Sequence, residues 1–148
     1  MLDNKVEIYI PKDFNIMTEE MAKFKYPMEK RPQLIYTNET GTVNVAFKHL
    51  PTKITQDKLE EFVGIMKKML SKMQPSALWY GNKVIDINNR KVGYLEMITP
   101  AIDTKIYNLM FMTELDGRIL MVTFNCTEPE MKALRPYSWQ IMNSLKVL

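Results

Sequence analysis

Apolar residues recur along this chain with two different periods, and the changes of period mark out its elements. Val6, Ile8 and Ile10 alternate with Glu7 and Tyr9, which predicts a short half-buried strand over 6–10, ended by Pro11. Thr18 ahead of Glu19, Glu20 and Met21 predicts a capped short helix reaching about Phe24. Pro27 and Pro32 then interrupt the chain. Residues 33–37 and 42–50 read as two strands around the turn Asn38-Glu39-Thr40-Gly41, the second closed by Pro51.

The clearest helix is predicted over 55–73. Thr55 is placed to cap it, and Leu59, Phe62, Val63, Met66, Leu70 and Met73 form one apolar stripe that Met69 widens. Lys58, Glu61, Lys68 and Lys72 take the other side, and Pro75 stops the helix. From Ala77 to Asn125 the period falls to two. Turn signals at Gly81-Asn82, Asn88-Asn89 and Asp116-Gly117 predict an antiparallel meander. Residues 127–148 return to a helical pattern through Met131, Leu134, Trp139, Met142 and Leu145. Thr127 is its cap, Pro129 sits in the first turn, and Pro136 is expected to divide it into two pieces.

One hairpin can be put in register. Asp116-Gly117 suits a two-residue turn in which both residues take positive φ. Leu115 then faces Arg118, and one face of the pair carries Tyr107, Leu109, Phe111, Thr113, Leu120, Val122, Phe124 and Cys126. That face is almost wholly apolar and is expected to lie under the 55–73 and C-terminal helices. The opposite face carries Asn108, Met110, Met112 and Glu114 against Ile119, Met121, Thr123 and Asn125. Three readings stand for it. The short N-terminal helix and loops cover it, making a three-layer sandwich; or it is a subunit interface; or it is a groove for a partner. The flexible thioether of methionine adapts to varied apolar shapes, which suits the last two.

Composition narrows the classes. The 148 residues are 46% hydrophobic and 25% charged, the balance of one globular domain spanning 1–148. A net charge of +3 is too small to argue for nucleic acid. The basic residues Lys23, Lys25, Lys30 and Arg31, then Lys67, Lys68 and Lys72, read as solvated faces. Trp79, Tyr80 and Tyr94 would stack on bases only if they lined one surface. The charged N-terminus lacks the apolar core of a signal peptide, no stretch is apolar enough to insert in a membrane, and the single Cys126 cannot form an internal disulfide. A cytoplasmic setting is expected.

Candidate chemistry is sparse. His49 is the only histidine, so no multi-histidine metal site exists, and five glycines include no phosphate-binding loop; no cofactor is expected. Cys126 precedes a helix cap, where a thiol can become nucleophilic, yet the hairpin register turns it inward as a small filler. Glu96 would matter if buried, but reads as an outward strand residue. Gly64 is expected to let the long helix approach the sheet.

The element order, with the stretches "VEIYIPKDF", "RPQLIYTNETGTVNVAF", "GYLEMITPAIDTKIYNLMF", "LDGRILMVTFNC" and "WQIMNSL", resembles the PsbP-like domain family, which includes Mog-type and DcrB-type proteins and the Eag-type chaperones. The resemblance implies an α+β fold, a three-layer α/β/α sandwich around an antiparallel sheet. It also implies an accessory protein that binds other proteins and has no shared active site. Without an export signal the chain is closer to the cytosolic, bacterial Eag-type chaperones.

The reading that follows is a non-catalytic protein-binding accessory, chaperone or adaptor domain. Its expected contact face is Asn108, Met110, Met112, Ile119, Met121, Thr123 and Asn125, taking another protein, a hydrophobic segment of one, or a second copy of this chain. The alternative is a small-ligand binder or thiol-dependent enzyme with a pocket near Cys126, His49 and Glu96.

Overall fold

A computed structural model describes residues 5–25, 34–101 and 103–148, with Phe24 and Lys25 described by backbone alone. Pro27, Lys30, Arg31, Pro32 and Gln33 therefore lie outside the described residues. The elements run β1 (Val6–Glu7), β2 (Asn15–Ile16), α1 (Glu19–Lys25), β3 (Leu34–Thr37), β4 (Asn44–Lys53), a 3-10 turn (Gln56–Lys58), α2 (Leu59–Met73), β5 (Leu78–Ile87), β6 (Arg90–Pro100), β7 (Lys105–Leu115), β8 (Arg118–Thr127), α3 (Glu128–Asn143) and β9 (Lys146–Val147). The main sheet has the antiparallel order β2-β3-β4-β8-β7-β6-β5, and β1 pairs with β9 beside it.

The β7–β8 hairpin has the register its sequence predicts, Thr113 opposite Leu120 through Tyr107 opposite Cys126. Asp116 (φ 53°) and Gly117 (φ 78°) make the tight bend, as the twist of the flanking strands requires. Gly81-Asn82, expected as a turn, lies inside β5 beside an irregularity in its pairing with β6, and three boundaries also differ from expectation. Pro51 does not close β4, which continues through an irregularity between His49 and Lys53 where a ladder donor is dispensable. Pro136 sits inside a continuous α3 rather than dividing it. The C-terminal residues leave the helix after Asn143 to pair with β1, so the first strand is shortened to the two residues that β9 can reach.

Helices cover both faces of the sheet. On one face, Ile141, Met142 and Leu145 of the C-terminal region pack on Tyr107, Leu109, Phe111, Val122 and Phe124, with Val6, Ile8, Ile10 and Phe14 completing the cover. On the other, Leu59 and Val63 of α2 pack on Leu95, Met112, Ile119 and Met121, and Met17 with Ala22 of α1 covers Ile35 and Ala46. Each fully buried Leu or Phe contributes about 1.5–3 kcal/mol. Thus α2 is not a second cover for the wholly apolar face, as its stripe alone suggests. Strands β4 and β5 run parallel, separated by β8, β7 and β6, so α2 is a crossover connection lying over the methionine face.

The glycine that lets α2 approach is in the sheet. A methyl on Gly93 of β6 would overlap Val63 Cγ2, whereas a methyl on Gly64 meets nothing within 4 Å. The role expected of Gly64 belongs to Gly93.

Candidate functional site

The face expected to be available divides in two. Met112, Ile119 and Met121 are 1%, 0% and 9% exposed beneath α2, so they are core and not a contact surface. The crossover helix brings its own Leu, Val and Phe stripe to these strands, and methionine there fills space between helix and sheet. Asn108, Met110, Thr123 and Asn125 remain half-buried, beyond full cover.

These four lie in two cross-strand rows. Ala46, Thr123, Met110 and Leu95 form one; Asn44, Asn125, Asn108 and Met97 form the next. Two members of the second row, Asn44 and Asn125, are linked by their side chains. Asn44 Nδ2 donates to Asn125 Oδ1 at 3.1 Å and to the Gly41 carbonyl at 3.3 Å. Asn108 Nδ2 donates to Thr99 Oγ1 and the Ile106 carbonyl, both at 3.1 Å. Asn44 Oδ1 is buried with no hydrogen-bond partner.

Alongside these rows runs a flank of α2 that single-residue reasoning about the sheet overlooked. Lys67 Nζ stands 5.6 Å over the Trp79 ring of β5, which fixes one flank of the helix toward the sheet edge. At about 100° per residue the opposite flank carries Phe62, Ile65, Met69 and Met73 and faces back over β7 and β8. Ile65, Met69 and Met73 are 55%, 46% and 67% exposed, while Phe62 is half-buried. At the N-terminal end of this flank an open cavity of about 530 Å³ is lined by Lys53, Ile54, Thr55, Lys58, Glu61, Phe62, Ile65 and Gly117. The signal was present in the sequence. Met69 and Ile65 extend the apolar arc of α2 past what one sheet contact can bury.

The alternative pocket does not assemble. His49 lies opposite Leu120, six residues along β8 from Cys126. At ~3.3 Å per residue that is ~20 Å. Its Nε2 donates to the Leu115 carbonyl at 2.8 Å and its Nδ1 accepts from Arg118 Nη2 at 2.9 Å, a structural role beside the hairpin turn. Cys126 is buried opposite Tyr107, and burial, with Glu130 nearby, pushes its thiol up to about 12, away from a nucleophile's range.

Glu96 points inward, contrary to its expected outward orientation. It shares the face of Tyr94, Ile98 and Leu109, and α3 supplies its partners. The carboxylate accepts from Arg135 Nε (2.6 Å) and Nη2 (3.0 Å), Trp139 Nε1 (3.0 Å) and Tyr107 Oη (2.5 Å). Burial raises its pKa, but the donors of Arg135, Tyr107 and Trp139 outweigh burial and hold it below the usual carboxylate range. Burial and the neighbouring Glu96 in turn push the Tyr107 phenol up. With Ser138 at 3.1 Å from Tyr107 Oη and bonded to the Arg135 carbonyl, every member is partnered. A saturated network of this kind fixes α3 on the sheet and leaves no group poised for proton transfer.

The aromatic residues considered for base stacking do not share a surface. Trp79 faces α2, Tyr94 is buried against Trp139 at 4.9 Å on the other side, and Tyr80 stands at the edge over Arg135. Among the described residues no group of three or more His, Cys, Asp or Glu could hold a metal ion, and no helix is long and apolar enough to cross a membrane.

No protein-family model matches the sequence, and no curated protein matches it. Solved structures do match the fold. Cyanobacterial PsbP (CyanoP) from Synechocystis superposes with a TM-score of 0.69 at 14% identity, covering 99% of this chain and 88% of that one. LpqN of Mycobacterium tuberculosis, involved in cell envelope biogenesis, gives 0.62 at 12% identity over 96% and 82%. The Ran-binding protein Mog1p of Saccharomyces cerevisiae gives 0.60 at 9% identity over 98% and 91%. The chain has the PsbP-like α+β fold.

Proposed function

We propose that this protein is a non-catalytic accessory domain that binds another protein through the uncovered part of its methionine face. The surface is the outer flank of α2 (Ile65, Met69, Met73) together with the adjoining half-buried sheet residues Asn108, Met110, Thr123 and Asn125. The observation that carries the reading is the exposure of three large apolar side chains, Ile65, Met69 and Met73, in one helical line on α2. Scattered apolar residues are ordinary on a surface, whereas a contiguous line bordered by polar groups marks an interaction site. A Ran-binding protein among the structures of the same fold supports a protein partner. The buried, high-pKa thiol and the saturated Glu96 network support a role without chemistry, and a lone thiol suits the cytoplasm.

The test is site-specific photo-crosslinking in cells. A photoreactive residue at Met69 or Met73 should give a discrete adduct with another protein, and the same residue at Tyr9, on the other side of the molecule, should not. Met110→Asp in the Met69 probe should weaken that adduct while the thermal transition persists. Absence of adducts at both α2 positions refutes the proposal.

A further inference from the structure

The partner's chemistry can be read from the rim of this same surface. Projected down α2, the residues that border Ile65, Met69 and Met73 on the solvent side are Lys58, Lys68, Lys72 and Glu61. All four are exposed, as is Lys53 at the mouth of the cavity that holds Phe62 and Ile65. The apolar line is thus edged by four lysines and a single carboxylate. The edge is local, because the chain as a whole carries only +3. From Phe62 to Met73 the line spans twelve residues, eleven rises of about 1.5 Å or about 16 Å, matching about three turns of a facing helix.

We infer that the occupant of this surface is an acidic amphipathic helix of a partner protein. Its apolar residues, spaced three and four apart, seat against Phe62, Ile65, Met69 and Met73. Its Asp and Glu side chains face Lys53, Lys58, Lys68 and Lys72. The inference rests on the protein-binding reading above and adds the sign of the partner's charge. Helix-in-groove docking uses this arrangement, in which buried anchors set affinity and the charged rim sets register and rejects the wrong sign. A lysine-edged apolar stripe can also lie on an anionic bilayer. Here the centre of the stripe, Leu59 and Val63, is committed to the sheet, and only a flank remains, which fits a narrow ridge better than a membrane plane.

Two helical peptides with identical leucine positions test the inference, one with glutamate and one with lysine on its polar face. Fluorescence anisotropy should show the glutamate peptide binding about tenfold or more tightly at low salt, the sum expected of several exposed ion pairs, with the margin shrinking as salt rises. Lys58→Glu, Lys68→Glu and Lys72→Glu combined should reverse the preference, and Met69→Glu should abolish both. These side chains are exposed, so circular dichroism and the thermal transition should hardly change. Equal binding of the two peptides, or binding of neither, overturns the inference; adducts at Met69 in cells would then leave the protein-binding reading in place. Anionic vesicles binding where the glutamate peptide does not, with loss in the same variants, would overturn it in favour of a membrane. A concentration-dependent dimer broken by Met69→Glu would overturn it in favour of a second copy.

Discussion

Gly93→Ala is the sharpest perturbation of the α2–sheet contact. The added methyl would overlap Val63 Cγ2 and stand 3.6 Å from Met112 Cγ and 3.8 Å from Val84 Cγ2. Carbon atoms pack best at about 3.5–4.0 Å, so the last two contacts are benign and Val63 takes the whole collision. Val63 is β-branched and helical, with essentially one χ1 rotamer, so it cannot swing clear. The helix backbone must instead lift by about 1 Å along a line that also carries Leu59 and Met66. Overpacking of this kind costs about 1–3 kcal/mol, and the locked rotamer puts the cost toward the upper end. For a domain of this size the melting temperature should fall by about 4–10 °C. Urea unfolding of Gly93→Ala, Val63→Ala and the double variant measures the coupling. The double variant should be more stable than the sum of the single losses predicts, by at least about 1 kcal/mol. A Gly93→Ala loss under about 0.5 kcal/mol, or strict additivity, would refute the placement of α2 on this face.

Gly64→Ala, on α2 next to Val63, should instead stabilise by about 0.5–1 kcal/mol, since its methyl meets nothing and the helix gains propensity. Glu96→Gln should cost about 3 kcal/mol at neutral pH, because it weakens donors from three side chains on a buried carboxylate. Because the folded Glu96 pKa lies below its unfolded value, its contribution is fully present above about pH 4.3 and is lost as pH falls through the folded value. The wild type should therefore lose stability on acidification more steeply than Glu96→Gln, measured by urea melts across that range. Cys126, with its thiol pushed up to about 12 and fully buried, should label with a maleimide at neutral pH only as fast as the protein unfolds; rapid labelling of the native state would contradict the packing.

Local signals fixed much of this fold. The Asp116-Gly117 bend determines the hairpin register by backbone sterics alone, and the α2 stripe turns Leu59 and Val63 into the core, although Met73 in that stripe and Met69 beside it stay exposed. What the stripe cannot define is the face it covers, because an apolar arc fits either side of a sheet equally well. That choice follows from β4 and β5 being parallel and several strands apart, a property of the whole strand order. The error on Met112, Ile119 and Met121 is therefore one of long-range topology, while the alternation that grouped them on one face is correct. Glu96 was missed for a related reason. An acidic residue in a strand looks outward until Arg135, thirty-nine positions later, supplies the counter-charge that makes burial tolerable. The short β9 lay hidden because Lys146-Val147 has no strand pattern of its own and exists only by pairing with β1.

Methionine oxidation footprinting separates the two halves of the methionine face directly. Brief exposure of the native protein to peroxide, followed by mass spectrometry of peptides, should oxidise Met69 and Met73 fast and leave Met112, Ile119's neighbour Met121, and Met142 nearly untouched. Saturating glutamate-faced peptide should then protect Met69 and Met73. Rapid oxidation of Met112 in the folded protein, or no protection of the α2 methionines by a peptide that binds, would contradict the account.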